Sequence, residues 1–205
     1  MTLPTITMPG TSAEHFHTLY ARSADPWHTT DSWYEQRKQS IVLATLPRSR
    51  FVNVYEPGCG NGALTLALAA RCERLWASDF CDEAVRLTLE RLCAHAHVQV
   101  ARQSVPEQWP DSGPAPFDLI VLSELCYYLD DEQLRRTVRL SVASLSAAGY
   151  LLACHWKRPF DDRQQETADI HALFDQHVQL RACAHYEDEQ FRLDLWQKCP
   201  HGETA

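Results

Sequence analysis

The segment Val54-Tyr55-Glu56-Pro57-Gly58-Cys59-Gly60-Asn61-Gly62 constrains this 205-residue chain more than any other stretch, because it joins an apolar strand-like run to an apolar helix-like run. Three glycines at alternate positions leave no Cβ on one side of a turn, so the backbone can take φ/ψ values closed to other residues and come close to a ligand. A strand leading in and a helix leading out aim free N–H groups at whatever sits above the loop. Gly58-x-Gly60-x-x-Ala63 satisfies the dinucleotide-binding pattern with alanine in the last place. Glu56, two residues before the first glycine, argues against a pyrophosphate, which an anion there repels, and suits a cationic ligand instead. A second apolar run, Leu75-Trp76-Ala77-Ser78-Asp79, ends in an acid seventeen residues past Gly62. A carboxylate at the end of the second strand can bond a ribose diol, so Asp79 supports a nucleoside-bearing ligand without choosing among them.

The order acidic-x-Gly-x-Gly-x-Gly resembles motif I of the class I S-adenosylmethionine (SAM) methyltransferases. Their cofactor carries a sulfonium and an ammonium and no phosphate, which accounts for an acid where a dinucleotide site would have none.

The chain is long enough for one α/β domain with a sizeable core, and cramped for two of ordinary size. Its net charge of −8, with no cluster of basic residues, argues against the broad phosphate-binding face of a nucleic-acid protein. Met1 to Gly10 lacks the charged start and apolar centre of a signal peptide, and no run approaches the roughly 20 apolar residues of a membrane span. The expectation is a soluble, cytoplasmic protein with a small-molecule partner, no nucleic acid and no membrane. Oligomeric state is not legible. Eight cysteines without C-x-x-C spacing fit buried reduced thiols better than a disulfide framework. His15-x-His17 and His95-x-His97 lack a nearby Cys or acidic partner at ligand spacing, so no metal is expected.

In chain order, residues 1–11 read as a disordered lead-in. Ser12 is a candidate N-cap for a helix carrying Phe16, Leu19 and Tyr20, which Asp25-Pro26 stops. Ser32 with Glu35 has capping-box spacing, so a helix should run from Trp33 to Pro47 with Trp33/Arg37 and Tyr34/Lys38 on shared faces. Phe51–Glu56 is the first strand and Ala63–Cys72 the next helix. Arg74–Asp79 is the second strand, followed from Asp82 by a helix with Val85, Leu89 and Leu92. Val98 and Val100 mark a third strand. Phe117–Leu122 is the continuous apolar run of a central parallel strand buried on both faces. Asp130 or Asp131 should cap a helix carrying Leu134, Val138, Val142 and Leu145, closed by Gly149. Tyr150–Cys154 is a fifth strand, then comes a helix with Ile170, Leu173 and Phe174. Val178–Tyr186 and Phe191–Gln197 read as an antiparallel edge hairpin, with fraying from Cys199 on. Repeated strand-helix units give a doubly wound sheet whose ligands bind at the carboxyl ends of the strands, where Glu56, Asp79, Ser104, Ser123 and His155 all fall.

Three further stretches sharpen the resemblance. Glu56-Pro57-Gly58-Cys59 with Gly60 and Gly62, Asp118-Leu119-Ile120-Val121-Leu122-Ser123-Glu124 followed by Tyr127-Tyr128-Leu129, and Asp25-Pro26-Trp27 followed by Tyr34-Glu35-Gln36-Arg37 resemble the nodulation protein S (NodS) group of methyltransferases over roughly Phe16 to Trp156. The resemblance implies a mostly parallel seven-stranded Rossmann-like methyltransferase sheet with an N-terminal helical lid. Residues 1–205 would form one domain, with a lid over 12–46 and an α/β core over 51–198. It also implies SAM-dependent methyl transfer, leaving S-adenosylhomocysteine (SAH), to an amine of a sugar-like acceptor, since NodS N-methylates a deacetylated chito-oligosaccharide. Cofactor contacts would come from Trp27, Tyr34, Arg37, Glu56, Gly58, Cys59, Gly60, Gly62, Asp79, Phe80, Ser104, Val105 and Ser123. Arg37 would bind the methionine carboxylate, and Trp27, Trp33 and Tyr34 would close over the cofactor. Glu124, Tyr127, Tyr128, His155 and Trp156 would ring the acceptor, with His155 or Glu124 taking or aligning its proton and Tyr128 in the catalytic set. Where many class I methyltransferases place an adenine-binding acid after the third strand, this chain has Ser104. Alternatives are O-methylation of a small metabolite, a nucleotide-binding oxidoreductase and a non-catalytic SAM-binding protein.

Overall fold

The central strand is Phe117–Ser123, labelled β4, in which alternate residues go to opposite faces and nearly all are buried. Leu119 and Val121 pack on one side, Ile120 and Leu122 on the other. The computed structural model describes residues 13–110 and 115–199. The expected lead-in at 1–11 and the Ser12 cap lie outside the described residues.

Around β4 the described chain runs α1 (Ala13–Arg22), α2 (Trp33–Thr45), β1 (Phe51–Pro57), α3 (Ala63–Ala69), β2 (Cys72–Asp79), α4 (Asp82–Arg91) and β3 (Val98–Arg102). After β4 come a 3-10 turn (Cys126–Tyr128), α5 (Asp131–Ser144), β5 (Leu145–Trp156), α6 (Thr167–Asp175), β6 (Leu180–Glu187) and β7 (Phe191–Lys198). The seven strands form one sheet in the order β3-β2-β1-β4-β5-β7-β6. The first five pair in parallel, while β7 runs antiparallel to both β5 and β6. Val42 of α2 and Leu68 of α3 cover one face, and Leu134, Val138 and Val142 of α5 with Ile170 and Phe174 of α6 cover the other. This is the doubly wound, mostly parallel Rossmann-like sheet that the strand-helix repeats predict, with the edge hairpin in place.

Several boundaries shift for local reasons. Ser32 precedes α2, but its side chain makes no capping bond, because Glu35 turns to Lys38 instead of closing the box. Asp130 does close one: its carboxylate accepts from the Gln133 N–H while the Gln133 side chain accepts from the Asp130 N–H. Gly149 does not end α5. That helix stops at Ser144, Lys198 Nζ donates to the carbonyls of Val142 and Leu145 at 2.7 and 2.8 Å, and β5 starts at once. All eight cysteines are free, five of them buried. Among the described residues no helix is long and apolar enough to cross a membrane.

Candidate functional site

A cavity of about 340 Å³ opens where β1, β2, β4 and β5 end, roofed by α1, the loop after it and α2. The glycine loop forms its floor. Gly58, Gly60 and Gly62 all have positive φ, and a Cβ on Gly60 would come within 3.2 Å of Tyr20 Oη. The loop's N–H groups do not point outward as expected. Those of Gly58 and Cys59 donate to Ser78 O, that of Gly60 to Asp79 Oδ2, and that of Gly62 to Cys59 O. With four of its N–H groups engaged inside the protein, the loop offers far less of an anion cradle than a pyrophosphate site uses.

The acids carry the electrostatics. Glu56 is 3% exposed, and its Oε2 has no hydrogen-bond partner. Burial pushes its carboxyl up to about 8, with Thr65 opposing the shift and Asp79 adding to it; neither Thr65 Oγ1 nor Glu56 Oε2 has a hydrogen-bond partner. Asp79 lines the same cavity; its Oδ1 accepts from the Cys81 N–H and its Oδ2 from the Gly60 N–H, and a carboxylate so bonded keeps acceptor capacity for a further donor. Burial raises its carboxyl too.

On the opposite wall Glu124 sits in the left-handed region at φ 54°, a costly conformation for a side chain of its size. Its Oε1 accepts from Lys38 Nζ at 2.6 Å, and its Oε2 accepts from the Tyr127 hydroxyl and from the Trp156 N–H at 3.0 Å. Lys38 also reaches Glu35 at 2.9 Å and lies 5.0 Å from the centroid of the Tyr34 ring. Burial works against the Lys38 charge, but Glu124 and Glu35 outweigh it and lift its pKa above the ordinary lysine value. The buried Tyr34 hydroxyl has no hydrogen-bond partner.

The cavity thus gathers Trp27, Tyr34, Glu56, Gly58, Cys59, Gly60, Asp79, Phe80, Ser123, Glu124, Tyr127, Tyr128 and Trp156 from the expected set. Ser104 and Val105 line a smaller recess that shares Gly58, Asp79, Phe80 and Tyr128 with it. Gly62 stands one step behind, against Thr88 of α4. Three expectations fail. Arg37 does not reach the cavity; it pairs with Asp188 at 2.8 Å and with the Tyr186 hydroxyl, tying α2 to the β6–β7 hairpin. Trp33 is 76% exposed and closes over nothing. His155 is fully buried beneath the 3-10 turn, with both ring nitrogens engaged, and does not line the cavity.

Residues 13–157 match the family model for nodulation protein S, which is most of the described chain. The chain belongs to the NodS family. Nodulation protein S of Sinorhizobium fredii is 32% identical over 146 residues, covering 69% of this chain and 66% of the relative. The chain spans about half to two thirds of the length of the curated relatives it matches. A solved protein from Pseudomonas syringae, provisionally assigned as a methyltransferase, is 40% identical over 82% of this chain and all of its own, with a TM-score of 0.71. The N-methyltransferase NodS of Bradyrhizobium japonicum, solved with SAH, superposes with a TM-score of 0.80 at 23% identity, covering 91% of this chain and 97% of that one, and so shares the fold.

Within this NodS-family site, sequence reasoning missed Lys38, Thr29 and Asn61. Asp25 explains the last two. Its carboxylate accepts from the N–H and hydroxyl of both Thr29 and Thr30 and from Asn61 Nδ2, so the Asp25-Pro26-Trp27 motif fastens the roof to the glycine loop. Burial would raise this carboxyl, but those bonds outweigh it and lower its pKa. The signal for Lys38 was available: it lies four residues before the buried Val42 and four after Tyr34, so it sits in the apolar stripe of α2. The family match ends at residue 157, so α6, β6 and β7 lie outside it.

Proposed function

We propose that this protein transfers a methyl group from SAM to the nitrogen of a small polar amine, with amino sugars as the first acceptor class. The observation that carries the reading is Glu56 Oε2, a buried acceptor without a donor on the cavity floor. An ammonium supplies that donor. The Tyr34 hydroxyl, equally buried and unpartnered, can donate to a carboxylate. A methionyl end offers both groups, so the residues present fit SAM. Asp79 has lone pairs left for a ribose diol, while Phe80, Ser104 and Val105 offer an apolar recess with a polar edge for adenine.

When bound, SAM supplies a methyl carbon on a positively charged sulfur, open to displacement by an acceptor lone pair. The chain's own contribution is positioning and exclusion of water. Trp27, packed on Phe16 and Tyr20, roofs the cavity. Glu124, held by three donors, is the counter-charge that aligns an acceptor ammonium, and Tyr128 with Trp156 supplies ring faces for a sugar. The acceptor proton leaves to solvent. O-methylation requires a stronger base at the reacting atom, and the histidine expected for that duty is walled off from the cavity. NodS of B. japonicum is an N-methyltransferase, which supports the nitrogen.

Calorimetric titration with SAH, with NAD as control, tests the cofactor. Micromolar SAH affinity, about 8 kcal/mol, without an NAD response supports the reading; heat with NAD alone overturns it. Methylation of glucosamine, followed by mass spectrometry, then separates an N-methyltransferase from a SAM-binding protein that turns nothing over.

A further inference from the structure

A chain of buried polar groups runs behind the acceptor wall. The Cys126 N–H donates to His155 Nε2 at 3.2 Å, His155 Nδ1 lies 3.1 Å from His171 Nε2, and His171 Nδ1 lies 2.5 Å from Asp194 Oδ2. Both imidazoles are fully buried. Donor and acceptor accounting fixes their tautomers. A backbone N–H can only donate, so His155 Nε2 carries a lone pair and the ring proton sits on Nδ1. That proton goes to His171 Nε2, which leaves the His171 proton on Nδ1, facing Asp194. Every donor meets an acceptor along the whole run. Burial disfavours charge on both rings, and their pKa values are lowered. Asp194 ends the run: burial would raise it, but hydrogen bonds from His171, His185 and Arg192 hold it at about 2.

The run begins at the residue that starts the 3-10 turn, where a backbone N–H has no partner within the turn itself. That turn carries Tyr127, whose hydroxyl donates to Glu124, and Tyr128, which lines the cavity. Glu124 holds its left-handed conformation only while neighbouring groups over-determine it. We infer that His155, His171 and Asp194 are positioning residues that lock the Cys126–Tyr128 turn, and through Tyr127 aim Glu124 at the acceptor. The inference rests on the cavity being the acceptor site, as proposed above. It gives α6 and β7, both beyond the family match, a part in the reaction without touching the substrate.

The test compares the wild type, His155→Leu and His155→Gln. Leucine removes the acceptor for the Cys126 N–H; glutamine restores a neutral oxygen there. In the wild type, imidazole nitrogen shifts should report protonated Nδ1 and bare Nε2 for both His155 and His171 throughout pH 6 to 8. His155→Leu should speed amide exchange at Cys126–Tyr128 and lower kcat with glucosamine about tenfold, the scale of one lost hydrogen bond, while SAH affinity stays within about twofold. His155→Gln should recover most of both. A proton on Nε2 of His155, or unchanged exchange and kcat in a folded His155→Leu, overturns the inference. If the leucine variant does not fold, the wild-type tautomers and the glutamine variant decide. A wild type that binds SAH but never methylates glucosamine counts against the acceptor, and tautomers and exchange still judge the positioning chain.

Discussion

Glu56 shows most sharply what one residue does for this fold. A carboxyl raised to about 8 in the folded protein, against about 4.5 in a free chain, is a group the fold prefers neutral. The unfolded chain gives up that proton first, so this residue's contribution to stability falls as pH rises from about 4.5 to about 8 and is constant above. Pairing with an ammonium needs the ionised form. SAH affinity should therefore weaken by up to about tenfold per pH unit below 8, with a proton released on binding, measurable by calorimetry in two buffers of different ionisation enthalpy. Glu56→Gln should raise the melting temperature of the ligand-free protein at pH 8, weaken SAH by at least about tenfold and abolish the pH dependence. A variant that loses stability and keeps affinity would show that Glu56 serves the glycine loop and not a ligand. Gly62 gives a second test at this scale. At φ 78° its Cβ would meet Thr88 Oγ1 at 2.9 Å and the Thr88 backbone at 3.1 Å, so Gly62→Ala combines left-handed strain with a collision against α4. A loss of about 2 kcal/mol or more in a denaturant titration is expected.

Elements decide which residues of a legible pattern reach the cavity. Strand order, the parallel core and the edge hairpin could be read from alternation and turn chemistry, and so could Glu56, Asp79 and Glu124, because a strand's carboxyl end is where its sequence run stops. Facing was harder. His155 ends a strand as predicted, but it lies on the side covered by α6, while the next residue, Trp156, reaches the cavity. Nothing in the run Tyr150–Cys154 says which face a later helix will cover. On α2, Tyr34 and Lys38 face the cavity, whereas Trp33 and Arg37, one step earlier and about 100° round the helix, do not; Arg37 meets an acid from a hairpin 151 residues away. Lys38 ties α2 to the end of β4, and removing it strands Glu35 and Glu124. Lys38→Met should cost about 3 kcal/mol in urea unfolding, and more than the double replacement Lys38→Met with Glu124→Gln, which a double-mutant cycle measures. The run through α6 and β7 makes a further element-scale prediction. His155 and His171 are held neutral with lowered pKa values, so the unfolded chain binds protons first as pH drops below about 6.5. The contribution of the two rings to stability should therefore fall between pH 7 and 5, against the opposite trend from Glu56, and the thermal stability of His155→Gln should drop less over that window than that of the wild type.

At the scale of the whole molecule, distribution of charge acts before any contact forms. The chain carries a net charge of −8, and among the described residues its cavity is lined by Glu35, Asp79 and Glu124, joined above about pH 8 by an ionised Glu56, against one cation, Lys38. The strands that end there come from both halves of the sheet, so acids separated by many residues in sequence focus their field on one opening. Such a field concentrates cations and repels anions, and salt weakens it as the screening length shrinks from about 10 Å at 0.1 M toward 3 Å at 1 M. An amine acceptor in its ammonium form is drawn in; a neutral or acidic acceptor is not. With glucosamine, kcat/KM should fall several-fold between about 50 and 500 mM salt through its association step. Affinity for SAH, which has no net charge near neutral pH, should change little over the same range, while SAM, with its sulfonium, should follow the amine. Stopped-flow or initial-rate measurements at matched pH give both quantities. A flat salt profile for the amine, with SAH and SAM responding alike, would mean that the acids of the cavity are spent on internal pairs such as Lys38 and do not select the acceptor by charge.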